Sequence, residues 1–183
     1  MAAIVIDYLC RLTRSDDIGI AYLFCNNRLE ADQNATNLLA ALLKQLGQNR
    51  QNIWAVVTRK YDRHSKRKSR PSLGEIIEAQ QSVCSNYTTV YIVVDALDEC
   101  VDGDRLIDEL LKIQAVMDVR LLFTSRFVPK IMRSHPVLEV RASKEDMSRF
   151  VIGQIPNLSN CIQRDEELKQ TVLNKIVEAI DGM

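Results

Sequence analysis

Glycine and proline are scarce: 6 Gly and 4 Pro among 183 residues, roughly half of the ~12% usual in globular chains. Regular elements are therefore favoured over loops. The glycines stand at 19, 47, 74, 103, 153 and 182, no two closer than 27 positions. Both common phosphate-cradling loops need neighbouring glycines, because only Gly lets the backbone turn sharply and approach the phosphate closely. G-x-x-x-x-G-K-[ST] and G-x-G-x-x-G are thus both excluded within these residues. Net charge is also lacking, with 24 Lys+Arg balancing 24 Asp+Glu, so long-range attraction to nucleic acid or anionic lipid has no source. Five cysteines lie no closer than 15 positions, which excludes a C-x-x-C metal knuckle and a compact disulfide framework and leaves reduced thiols as the expectation. The longest uncharged stretch, 79–94, is interrupted by Gln, Ser, Asn and Thr, and no basic segment precedes the first apolar run. Neither a membrane span nor a signal peptide is written here, and a cytoplasmic location is expected.

What is present alternates in period. Ile4, Val5, Tyr8, Leu9 and Leu12 have helical spacing, and IGIAYLFC at 18–25 reads as a buried strand. Leu38, Leu39, Leu42, Leu43 and Leu46 form one helix face ending at Gly47, and a further helical pattern runs from 53 to 61. Ser72-Leu73-Gly74-Glu75 has the capping-box form and opens a helix expected to reach Asn86. VYIVVD at 90–95 is a continuous β-branched strand, Leu106 to Gln114 a helix, and VRLLFT at 119–124 another strand. A short helical piece near 129–132, a last strand over 137–141 and helices opened by Ser143 and Asp165 complete the pattern. Length fits one domain, and the alternation specifies an α/β three-layer fold on a parallel sheet. We place its core at 1–142, with 143–183 starting a lid-like helical subdomain.

Chemistry in such folds collects at the carboxyl ends of the strands. There the sequence puts Asp95, Asp98 and Glu99, in VYIVVDALDEC. An apolar strand delivering an Asp at its tip is the arrangement called Walker B, whose carboxylate holds, often through water, the Mg²⁺ bridging two phosphates. An acid three or four positions on could direct the attacking water. The next strand ends in Thr124, Ser125 and Arg126, which offer hydrogen bonds and a positive charge for a γ-phosphate. An isolated V-V-D is no more than a strand end, and T-S-R alone is equally a strand end with a solvated Arg. Three acids and a polar, cationic triplet on successive strands favour a nucleotide site.

The order GIAYLFCN, NLLAALLKQL, RPSLGEI, VYIVVDALDEC, LLFTSR, EVRAS and AIDGM resembles, over nearly the whole chain, the NACHT module of STAND ATPases. It especially resembles the nephrocystin-like N-terminal type common in fungal NOD-like receptors. The resemblance implies a P-loop NTPase fold in which Asp95 is the Mg²⁺-side carboxylate, Asp98 and Glu99 direct water, and Thr124, Ser125 and Arg126 form sensor 1. It implies Mg²⁺ and ATP as cofactors of the intact module, and nucleotide-dependent oligomerisation in innate-immune or incompatibility-like signalling through further effector and repeat domains. The family places a strand and a Gly-Lys-Thr or Gly-Lys-Ser loop immediately before the helix that here begins MAAIVIDYL. The expectation is therefore a fragment missing the first strand, which binds and hydrolyses no ATP alone and whose sensor 1 strand has an unpaired edge. An inert interaction scaffold on the same fold is the other reading.

Three further features carry less. RKYDRHSKRKSR at 59–70 holds seven Lys/Arg, but in a neutral chain with one interleaved aromatic it reads as a solvated helix end rather than a nucleic-acid patch. His64 and His135 lack partners at ligand spacing and are assigned surface roles. Cys100 and Trp54 read as packing residues.

Overall fold

The computed structural model describes residues 1–12, 17–28, 33–48, 58, 64, 68–141 and 143–181. The chain divides into two compact units, Met1–His135 and Pro136–Met183. Most of the basic segment and the helical pattern around Trp54 lie outside the described residues.

The first unit is built on three strands, β1 (Ile18–Phe24), β2 (Thr89–Asp95) and β3 (Val119–Phe123), all parallel in the order β1-β2-β3. Val90, Ile92, Val93 and Val94 of β2 are all buried, as expected of a β-branched central strand covered on both faces. Register aligns Phe24 with Asp95 and Val94 with Phe123. The strands therefore end together, and the polar residues beyond them fall on one edge of the sheet.

Alternation assigns the two faces. Ala21, Leu23, Val90, Ile92, Val94 and Val119 enter one core with α2 (Ala35–Gln48), α3 (Leu73–Cys84) and α4 (Gly103–Gln114). The leucines at 38, 39, 42, 43 and 46 are buried here, as their spacing requires. Gly19 is needed for this packing, because a Cβ there would come within 3.0 Å of Leu46 Cδ2 and 3.2 Å of Tyr87 Cγ. The Tyr87 hydroxyl in turn donates to the Leu46 carbonyl in the last turn of α2 at 2.6 Å. α3 begins with the expected reciprocal cap, Glu75 N–H donating to Ser72 Oγ and Ser72 N–H to Glu75 Oε2, and ends at Cys84 rather than Asn86. The Ser72 bonds, backbone first, and contact with His64 hold the Glu75 carboxyl down at about 2. The ring nitrogens of His64, given an ordinary surface role from the sequence, meet Ser69 Oγ at 2.9 Å and Glu75 Oε1 at 3.1 Å.

On the other face lies α1 (Ala2–Leu12), with Ala2 and Ile6 buried against Val93 and Leu9 beside them. The helix forms where expected. Its largest apolar stripe, Ile4, Tyr8 and Leu12, is 61–74% exposed, because the small Ala2 and Ile6 fit against the sheet. Tyr22, Phe24 and Leu122 on that same sheet face are also exposed. Helix, sheet and helix nevertheless make the three-layer αβα arrangement of a P-loop-type fold without its first strand. β3 pairs with β2 on one side, and no strand pairs with its other edge among the described residues.

The second unit contains α5 (Lys144–Gln154), α6 (Asn160–Arg164) and α7 (Glu166–Asp181). Ser143 caps α5 by accepting from Asp146 N–H, and Asp165 accepts from Leu168 N–H at the start of α7. The strand expected over 137–141 does not form: that segment is irregular, with Val137, Leu138 and Val140 exposed and no ladder partner among the described residues. A five-residue apolar alternation cannot hold a strand without a neighbour. No described helix is long and apolar enough to cross a membrane.

Candidate functional site

The tips of β2 and β3 meet through side chains. Thr124, the residue after β3, donates its hydroxyl to Asp95 Oδ1 at 2.5 Å and accepts the Ala96 amide at 3.0 Å. Backbone bonds continue the ladder on either side, from Thr124 N–H to the Val94 carbonyl and from Leu97 N–H to the Thr124 carbonyl, each at 2.9 Å. Asp95 is thereby fixed in direction, half-buried, at the end of a rigid strand.

Beyond Asp95 the chain reverses sharply. Ala96 has φ 55° and ψ 48°, the left-handed region that costs an L-residue about 1–2 kcal/mol. The strained residue throws Leu97 down into the core, 2% exposed, and starts a single 3-10 turn over Leu97–Glu99. That turn directs the two following acids to different partners. Asp98, its side chain only 2% exposed, pairs with Arg126, whose Nε donates to Oδ2 at 2.5 Å and whose backbone N–H donates to Oδ1 at 3.2 Å. Burial pulls the Asp98 carboxyl up, but the Arg126 bonds and charge outweigh it and hold it below the ordinary carboxylate range. The same contact raises Arg126, whose side chain remains 76% exposed. Glu99 instead accepts from Asn27 N–H at 3.3 Å, in the loop after β1. Ser125 accepts a long bond from Phe127 N–H at 3.4 Å. All six candidate residues thus come to one edge of the sheet, in two bonded pairs plus Glu99 and Ser125.

Sequence reasoning missed the supports of this edge. Gln33 acts as a short strand mimic, exchanging bonds with the backbone of Asn26 at 2.9 and 2.6 Å. Asp102 Oδ2 accepts from Ala35 N–H at 3.2 Å and so caps α2 from across the chain. Cys25 and Cys100 are both buried here, and the Cys100 Sγ lies 3.8 Å from the Gln33 carbonyl. No spacing rule links positions 25, 33 and 100; only the parallel register brings them together.

The model of one family, nephrocystin 3, N-terminal, matches residues 1–126. The chain belongs to the nephrocystin 3 N-terminal family. The match to that family ends on Arg126 and so contains Asp95, Asp98, Glu99 and the T-S-R triplet. No curated protein and no solved structure matches the chain significantly. For this family member, the fold and the grouped strand tips are the observations from which function has to be argued.

Proposed function

We propose that this chain is the Walker B and sensor 1 part of a NACHT-type nucleotide switch. The observation that carries the proposal is the pairing of Asp95 with Thr124 across two parallel strand tips. Asp95 and Thr124 present hard oxygen donors, which suit Mg²⁺. Among the described residues no group of three or more His, Cys, Asp or Glu could hold a metal. Asp95 therefore suits an ion held chiefly by water and phosphate rather than by a protein cage. When bound, Mg²⁺ would supply positive charge to the phosphates of a nucleoside triphosphate, with Asp95 on its protein side.

The remaining roles follow from the chain's own geometry. Thr124 locks the Asp95 carboxylate in direction. Asp98, enclosed and ion-paired, orients the exposed Arg126 guanidinium for a γ-phosphate. Glu99, which among the described residues accepts through Oε2 from the Asn27 backbone amide, is better placed than the enclosed, ion-paired Asp98 to direct a water molecule. Ala2, in the first turn of α1, packs on Val93, two residues before Asp95, and the positive end of that helix suits phosphate.

These 183 residues contain no glycine-rich phosphate loop, so the chain alone is proposed to bind MgATP no better than millimolar. Calorimetric titration tests this: micromolar binding by the chain, lost in Asp95→Ala, overturns it. A second reading, an assembly module that needs no nucleotide, is favoured by the apolar stripe Ile4, Tyr8 and Leu12 and the exposed Tyr22 and Phe24. Sedimentation separates the two. Nucleotide-independent self-association abolished by Ile4→Asp with Tyr8→Asp supports assembly, and a monomer at all concentrations removes it.

A further inference from the structure

The last residues of the basic run at 59–70 have no part in either reading of function, yet they are arranged around one hydroxyl. Lys68 has φ 51°, a left-handed value uncommon outside glycine. That turn carries Ser69 back onto His64: the Ser69 N–H donates to the His64 carbonyl at 3.0 Å, and Ser69 Oγ stands 2.9 Å from His64 Nδ1. The other ring nitrogen, Nε2, faces Glu75 Oε1 at 3.1 Å. Glu75 Oε2 is held in turn by the Ser72 N–H and hydroxyl at the start of α3. Lys68, Ser69 and Arg70 are exposed, and residues 69–72 lie in neither helix nor strand. Pro71 biases Arg70 towards extended conformations. In sequence, the cations Lys66, Arg67, Lys68 and Arg70 all stand within three positions of Ser69. Ser72 is exposed too, but only Arg70 is cationic among the three residues before it, and its oxygen is committed to the helix cap.

We infer that Ser69 is a phosphorylation site, read by a protein kinase whose substrate groove is acidic. An exposed serine outside helix and strand, preceded by cations, offers such a groove charge complementarity, and serines without those cations are discriminated against. In the transfer the Ser69 oxygen attacks the γ-phosphorus of ATP. The new O–P bond forms as the bond from that phosphorus to the β,γ-bridging oxygen breaks; ADP leaves with the electron pair, and the hydroxyl proton passes to the kinase's catalytic carboxylate. The product places about 1.5–2 negative charges and three acceptor oxygens where a neutral hydroxyl stood. A doubly protonated His64 then donates through Nδ1 to the phosphate and through Nε2 to Glu75, bridging two anions. A charge-assisted bond thus replaces a neutral contact and ties the modified segment to the first turn of α3.

The test treats the folded full chain with MgATP and the catalytic subunit of cAMP-dependent protein kinase, which prefers cations two and three positions before serine, and maps the phosphate by mass spectrometry. One phosphate per chain on Ser69 is expected, with none in Ser69→Ala. Lys66→Ala with Arg67→Ala should slow initial incorporation roughly tenfold or more. Both variants should give the wild-type circular dichroism, so that lost incorporation reports the site and not the fold. No incorporation, phosphate chiefly on Ser72 or elsewhere, or an undiminished rate in the double variant overturns the inference. The His64 bridge has its own readout: alkaline phosphatase should release the phosphate more slowly from the folded phosphorylated chain than from its His64→Gln counterpart. Equal rates would overturn the bridge.

Discussion

Thr124 and Asp95 stand 29 positions apart, and a 2.5 Å bond from hydroxyl to carboxylate joins them. The same oxygen accepts the Ala96 amide at 3.0 Å, so one small side chain satisfies two groups on the neighbouring strand end. Thr124→Val keeps the shape and removes both bonds. Leaving a partly buried donor and acceptor without a partner should destabilise the first unit by about 1–3 kcal/mol. Thr124→Ser should recover most of that. Urea unfolding curves of the three proteins check the order, and a Val variant as stable as wild type would mean that the strand tips are not coupled through this residue.

Ala96 holds a left-handed conformation that glycine adopts freely. Ala96→Gly should therefore be tolerated, with a stability change within about 1 kcal/mol because relief of strain is offset by a freer unfolded chain. Ala96→Val, β-branched in the same conformation, should melt well below both. Equal melting temperatures for Gly and Val would contradict the observed turn.

Asp98 and Arg126 predict a pH dependence of definite sign. The folded carboxyl sits below its ordinary value of 3.8, so the pair's contribution is complete above that value and is lost as pH falls through the depressed one. Arg126→Gln should flatten the acid limb of the stability profile while changing little at neutral pH beyond a constant offset. A parallel acid limb in wild type and variant would show that Asp98 draws its shift from elsewhere.

Much of the edge was legible as sequence because it is local. Three acids within five residues after VYIVV, and T-S-R after VRLLF, mark two strand tips without any structure. Pairing them needs only parallel register. The supports were not legible for the opposite reason: Gln33, Asp102, Asn27 and Cys100 act on partners 67 to 72 positions away or on backbone groups. The buried face of α1 was not legible because its apolar residues cover more than one face, and packing chose Ala2 and Ile6. The segment 137–141 shows β alternation, but a strand exists only where a neighbour completes its ladder.

Gln80 is an example of what pattern reading passes over in a helix face. It is fully buried in α3, and neither side-chain polar atom has a hydrogen-bond partner among the described residues. Desolvation without compensation costs about 1–3 kcal/mol. Gln80→Leu, of similar volume, should therefore raise stability by a comparable amount, read as a higher melting temperature. A fall in melting temperature would imply that the amide serves a polar contact.

Nucleotide binding tests the central claim most directly. A family-type strand and G-x-x-x-x-G-K-[ST] loop joined ahead of Met1 should give the chain micromolar affinity for MgATP by calorimetry. Asp95→Ala in that extended protein should weaken it roughly tenfold or more, about 1.4 kcal/mol, while the 183-residue chain shows no micromolar binding. Equal affinity with and without the Asp95 carboxylate would contradict the assignment of the β2 tip as the metal and phosphate side of a nucleotide site.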